Sequence, residues 1–244
     1  MTMPLSIEQV AGSIKALEEQ YQTIAHNLAN SSTPGYKRRL TTFSQALAQQ
    51  LAHVGKPIAG GAVTAATVTD FSAAHPVQTG RTLDLFLQGG GFFMIETDQG
   101  PLYSRNGCFR TNAQGQLVTT AGQLVAGQNG PIVVPPTAGV EDIRVSADGT
   151  VRADRTAIGK LRLVSFPPEV SLESVGNGCF RASSTATPED DLQTKVLQGA
   201  YEASNVSAIE ELVALMAVTR LYEANMKTIQ AQDQKNQTLL QAAS

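Results

Sequence analysis

The chain has no tryptophan, three histidines, two cysteines and only 5% aromatic residues in 244. Each scarcity narrows the reading. With so few aromatic rings the core must be built from aliphatic side chains. Scattered histidines (His26, His53, His75) with no second ligand at metal spacing argue against a metal site. Two cysteines without a third ligand cluster do not make a zinc site. Charge is also sparse, at 16% against about 25% for an average soluble chain. The net charge of −3 gives no electrostatic footprint for nucleic acid. No apolar run reaches the ~18 residues of a membrane span, so no membrane insertion is expected. The opening Met1-Thr2-Met3-Pro4-Leu5-Ser6 has no basic and apolar leader pattern, and a cleaved signal peptide is not expected.

Catalytic motifs are missing too. There is no Gly-x-Ser-x-Gly elbow, Walker loop or Gly-x-Gly-x-x-Gly turn. Gly89-Gly90-Gly91 reads as a break between strands, because no helix opens after it. Asp190-Asp191 reads as solvated loop, and Glu210-Glu211 as acids in a helix first turn. No catalytic residue and no cofactor is expected.

What is present is a match between the two ends. Ile7, Val10, Ile14, Leu17, Tyr21, Ile24 and Leu28 recur at alternating steps of 3 and 4, and so do Leu212, Leu215, Thr219, Tyr222, Met226 and Ile229. Both are heptad seams, which keep one helix face against a partner helix. Ser6 with Gln9, and Ser207 with Glu210, fit capping boxes; Leu5 and Val10 fit a hydrophobic staple. The first helix is expected to reach about Asn30, where Ser31-Ser32-Thr33-Pro34-Gly35 stops it. The last is expected to run from Ser207 to about Leu240. Tyr36-Lys37-Arg38-Arg39 reads as an exposed basic exit, and Phe43, Leu47 and Leu51 as one face of a short amphipathic helix.

Between the ends the pattern changes. Residues 54–79 read as extended linker with some strand. Leu83, Leu85 and Leu87 then alternate with other residues, Phe92-Phe93-Met94-Ile95 reads as a strand, and turn signals follow at Asp98–Pro101, Asn106-Gly107, Gln114-Gly115, Ala121-Gly122, Asn129–Pro131 and Asp148-Gly149. Turns every 8–12 residues mark an antiparallel β architecture. Leu161, Leu163 and Phe166 read as a late strand. Cys108 and Cys179 sit in identical pentapeptides, Asn106–Arg110 and Asn177–Arg181. These are either two strand starts after Asn-Gly turns or the two halves of a disulfide.

The fold class is therefore α+β: terminal helices pairing as a coiled-coil-like layer, with an intervening antiparallel all-β domain. The expected domains are 1–52 with 200–244 (helical assembly), 53–79 (linker) and 80–199 (β-rich). Such a chain is built for assembly more readily than for catalysis. An enzyme with a dispersed β-domain site would need an acid–base or nucleophile constellation, and a secreted binding module would have no use for long helices at both ends.

Specific residues add a family. His26-Asn27-Leu28-Ala29-Asn30-Ser31-Ser32-Thr33-Pro34-Gly35-Tyr36-Lys37 resembles the Asn-Leu-Ala-Asn…Thr-Pro-Gly-Tyr-Lys signature of bacterial flagellar basal-body rod and hook proteins. Thr79–Leu85 with Gly89–Phe93, Tyr103–Gly107 with Phe109, Gly115–Thr119, Ser204–Ser207 with Glu210–Val213, and Arg220–Lys227 resemble the family in the same order. The length and the tail Met226–Gln230 are most similar to the proximal rod members, with the distal rod members next. The resemblance implies a structural subunit of the drive shaft that transmits torque. Its implied partners are copies of itself, neighbouring rod proteins and the flagellar export apparatus, and its implied location is the periplasmic basal body, reached by export without a cleaved signal. The two seams are the expected assembly residues, and Asn27, Leu28, Ala29, Asn30, Thr33, Pro34, Gly35 and Tyr36 are the positions that carry the family motif.

Overall fold

A computed structural model describes residues 7–44, 64–167, 169–183 and 186–242. These divide into two units that do not follow the linear order of the chain. One, the helical unit, is drawn from residues 7–29, 39–44, 64–70 and 206–242; the other, the β unit, from residues 30–38 and 71–205.

In the helical unit, α1 (Ile7–Ala29) packs along α2 (Ala208–Ala242). The start of α2 bears out half of the expected capping box: the Glu210 amide donates to Ser207 Oγ at 3.4 Å. The Ser6 cap and the Leu5 staple lie outside the described residues. At 35 residues α2 spans about 52 Å. Strands β1 (Arg39–Ser44) and β2 (Thr64–Thr69) form an antiparallel ribbon that packs on α1. This corrects the expected amphipathic helix. Phe43 lies in β1, where Leu40-Thr41-Thr42-Phe43 pairs residue by residue with Ala65-Ala66-Thr67-Val68. β-branched side chains on both strands suit that pleated surface. Leu47 and Leu51 fall outside the described residues.

The β unit is antiparallel throughout its described strands. Its main sheet is built around β5 (Phe92–Glu96), which pairs with β6 (Leu102–Ser104), β9 (Leu124–Gly127) and β14 (Leu163–Ser165). Smaller pairs complete it: β4 (Leu85–Gln88) with β18 (Lys195–Gln198), and β3 (Pro76–Gln78) with β19 (Ala200–Glu202). The turn signals fall between short strands, except that the one read at Asn129–Pro131 is displaced: the turn is at Gln128-Asn129, and Gly130-Pro131 already pairs with Gly127 and Ala126. The alternation of Leu83, Leu85 and Leu87 buries all three in a core with Phe93, Ile95, Phe109, Val125, Ile143 and Leu161. That core is mostly aliphatic, as the composition implies. The sparse rings are nonetheless concentrated: Phe71, Phe92, Phe166, Phe180 and Tyr103 meet edge to face at 4.7–6.2 Å in a second cluster.

Candidate assembly surfaces

In the helical unit the two seams face each other only in part. Ile24 is buried and Ile14, Leu17 and Leu28 are half-buried, while Tyr21 is 47% exposed. Ile7 and Val10 lie in the first turns of α1, where side chains are not described. On α2, Leu215, Tyr222, Met226 and Ile229 are half-buried, whereas Leu212 is 47% exposed. The residue at the centre of the contact is Val218, only 3% exposed, which the 3–4 pattern passed over in favour of the exposed Thr219. Leu17, Tyr21, Val218 and Tyr222 line an open groove of ≈ 380 Å³ between the two helices.

A second apolar face runs along the first half of α2. Ile209, Leu212, Val213 and Met216 are 76%, 47%, 57% and 55% exposed. At ~100° per residue they lie nearly opposite Glu211, Leu215, Val218 and Tyr222, the face turned inward. A helix apolar on two faces is suited to burial on both. The spacing 209, 212, 213, 216 was visible in the sequence but was not separated there from the seam.

The motif joins both units. Within the helical unit the buried Asn27 side chain exchanges two hydrogen bonds with the Arg39 backbone: its Nδ2 donates to the carbonyl at 2.8 Å and its Oδ1 accepts from the amide at 2.9 Å. Within the β unit, Asn30 to Tyr36 forms consecutive turns, Thr33 N donating to Asn30 O and Tyr36 N to Thr33 O. Gly35 follows at φ 66°, and its amide donates to Glu202 O at 2.7 Å. Glycine is needed there twice over. The positive φ disfavours any side chain, and a Cβ would meet the Arg105–Asn106 backbone.

Lys37 does not belong to an exposed basic exit. Its side chain is fully buried, with Nζ 2.8 Å from Glu202 Oε1 and 2.7 Å from the Ser72 carbonyl. Arg38 and Arg39 are half-buried. Glu202, 165 positions away, supplies the countercharge, and no local reading of three basic residues could contain it. Arg105 lies on the other side, its guanidinium 3.7 Å from Glu202 Oε2 and stacked 5.0 Å from the Phe92 ring centre. Burial pulls the Arg105 guanidinium down, and Glu202 and Asp191 oppose that. Asp191 is not simply solvated loop: its carboxylate accepts from the Gln193 and Thr194 amides and from the Thr194 hydroxyl. Burial raises its pKa, but those hydrogen bonds and Arg105 outweigh it and hold the group below the usual range.

The two cysteines are unpaired thiols, which overturns the disulfide alternative. Their identical pentapeptides do different work. Asn177 and Gly178, at φ 53° and 70°, make the tight turn between β15 (Leu172–Gly176) and β16 (Cys179–Ala182). Gly107 instead leaves room for the Leu85 carbonyl, on which a Cβ would fall. Burial, then the neighbouring Asp84, pushes the Cys108 thiol up to about 12. Burial likewise raises that of Cys179.

Comparison with known proteins places these surfaces in context. Residues 197–242 match the family model described as the flagellar basal body rod FlgEFG protein C-terminal, and residues 86–153 that of the flagellar hook protein FlgE/F/G D1 domain. The chain is 33% identical to the flagellar basal-body rod protein FlgG of Caulobacter vibrioides, over 98% of each chain. It is 32% identical to FlgG of Agrobacterium fabrum, over 92% of this chain and 94% of that one. It is also 32% identical to the flagellar basal-body rod protein FlgF of Escherichia coli, over 95% of both.

Proposed function

The chain belongs to the family of flagellar basal-body rod proteins, and from that premise we propose that it is a structural subunit that polymerises through its terminal helices into the torque-transmitting rod. The observation that carries the assembly step is the second apolar face of α2. Inside one chain, α1 covers the face centred on Val218 and leaves Ile209, Leu212, Val213 and Met216 in water. Helices of neighbouring subunits, like or unlike, can cover it. A contact of this kind, repeated without closing, builds a helical tube. The transmission of torque then needs only stiffness and no catalytic residue.

Proximal placement in the rod rests on the length and on the tail Met226–Gln230. Export through the flagellar apparatus and a periplasmic location follow from the same reading. Deleting the gene tests the whole: motility should be lost, and tagged protein restoring it should co-purify with basal bodies at their proximal end. Intact motility together with absence from purified basal bodies would overturn the reading.

A further inference from the structure

The two heptad seams are not centred where their helices meet. At ~100° per residue, Leu215, Thr219, Tyr222 and Met226 fall about 40–100° round α2 from Val218, all to one side of the buried contact. On α1, Ile14, Leu17, Tyr21 and Leu28 fall about 20–80° round from the buried Ile24, again all to one side. Both sides open on the same groove. Leu17 and Tyr21, one turn apart on α1, line it together with Val218 and Tyr222, one turn apart on α2. A knob side chain seats in a hole of four residues, and here each helix contributes two. Two helices whose seams are turned outward in this way leave an apolar furrow shaped for a third.

The same chain carries a helix face that fits it. Ile209, Leu212, Val213 and Met216 form an exposed apolar stripe about two turns long. Among the residues lining the groove the single charge is Glu18; Arg220, exposed one turn beyond Met216, follows the stripe with the opposite charge. The stripe is centred roughly 11 Å before the groove along α2, and on a different face of it. A helix that fills a neighbour's groove therefore leaves its own groove open.

We propose that the groove between α1 and α2 is the acceptor for the Ile209–Met216 stripe of a second copy of this chain, so that each contact packs two helices of one subunit around one helix of the next. Taking the occupant from a second copy rests on the rod reading. The contact is heterologous: every subunit offers one stripe and one groove, and the row continues past two copies.

Cross-linking of the full-length chain tests it. Gln22→Cys places a thiol on the rim of the groove and Ala217→Cys one beside the stripe, and both positions are exposed. The doubly substituted chain, expressed in cells lacking the gene and treated with a short bismaleimide in purified basal bodies, should give a ladder of dimers, trimers and higher multimers of this chain. Either single variant should give none. The unsubstituted chain should also give none, because burial raises both native thiols. Dimers that go no further, dimers from a single variant, a link within one chain or a link to a different rod protein would each overturn the proposal. So would the absence of any link in basal bodies that contain the protein, and that result would leave the rod reading standing. If the chain is absent from basal bodies the rod reading fails, and the concentrated purified chain decides the contact. A ladder there that Met216→Asp removes without loss of helical circular dichroism upholds the docking; no ladder, or one that survives Met216→Asp, overturns it.

Discussion

Gly35 and Gly80 both sit at positive φ, 66° and 71°, yet alanine should not be equally harmful at the two. Nothing lies within 4 Å of a Cβ built on Gly80, so only the left-handed strain counts, about 1–2 kcal/mol. At Gly35 the Cβ meets the Asn106 backbone, and overpacking adds about 1–3 kcal/mol. Urea unfolding should therefore rank Gly35→Ala well below Gly80→Ala; equal midpoints would contradict the close approach. The same scale governs the thiols. With Cys108 pushed up to about 12, roughly one thiol in ten thousand is ionised at pH 8, against about one in four at an unfolded pKa near 8.5. Iodoacetamide should then label folded Cys108 roughly a thousandfold more slowly than the unfolded chain. Because the folded pKa is the higher one, the contribution of Cys108 to stability is intact below about 8.5 and lost as pH rises towards 12. The alkaline fall in melting temperature should accordingly be shallower in Cys108→Ser. Sequence could place both pentapeptides after turns, but it could not tell a turn glycine from one that clears a carbonyl. That distinction depends on Leu85, 22 positions earlier.

Helix α2 shows where periodicity informs and where it stops. Its existence, its start beside Ser207 and its length were legible, because capping chemistry and an unbroken run free of Gly and Pro are local properties. Which face turns inward was not, because two apolar stripes share the first half of the helix and a strict heptad drifts by ~20° per repeat on a straight one. The two stripes should respond differently to charge. Val218→Asp places a carboxylate in the contact with Leu17 and Tyr21, at a cost of several kcal/mol, and should melt the helical unit of the isolated chain. Met216→Asp changes a residue that is 55% exposed and should shift monomer stability by no more than about 0.5 kcal/mol. It should nevertheless abolish swimming and incorporation into basal bodies. Motile cells carrying Met216→Asp would show that the second stripe is not an assembly face. Strand β1 illustrates the opposite failure: Phe43, Leu47 and Leu51 satisfy a helical period, but pairing with Thr64–Thr69, from Ser44↔Thr64 to Arg39↔Thr69, decides the conformation of Arg39–Ser44.

At the scale of the molecule, the linear reading drew the β-rich domain as residues 80–199. Strand pairing draws a larger body. Residues 76–78 pair with residues 200–202, and residues 30–38 are fastened by Glu202. Local signals could not show this, because the N-terminal motif and the strand that receives it are separated by most of the chain. The difference predicts an order among fragments. The 80–195 piece loses the partner of β4, which exposes part of the core around Leu85, Leu87 and Val196, and also lacks both strands of the β3–β19 pair. A 71–205 piece regains these strands but lacks residues 30–38, and with them the Lys37–Glu202 ion pair and the hydrogen bond from the Gly35 amide to Glu202 O. A 30–205 piece contains every residue of the β unit. Melting followed by circular dichroism should therefore give the highest midpoint for 30–205, a lower one for 71–205, and a broad or absent transition for 80–195. Glu202→Gln should lower the midpoint of 30–205 more than that of 71–205, since only the longer piece has Lys37 to strand. Coincident melting of all three fragments would mean that the motif decorates the β unit and does not complete it.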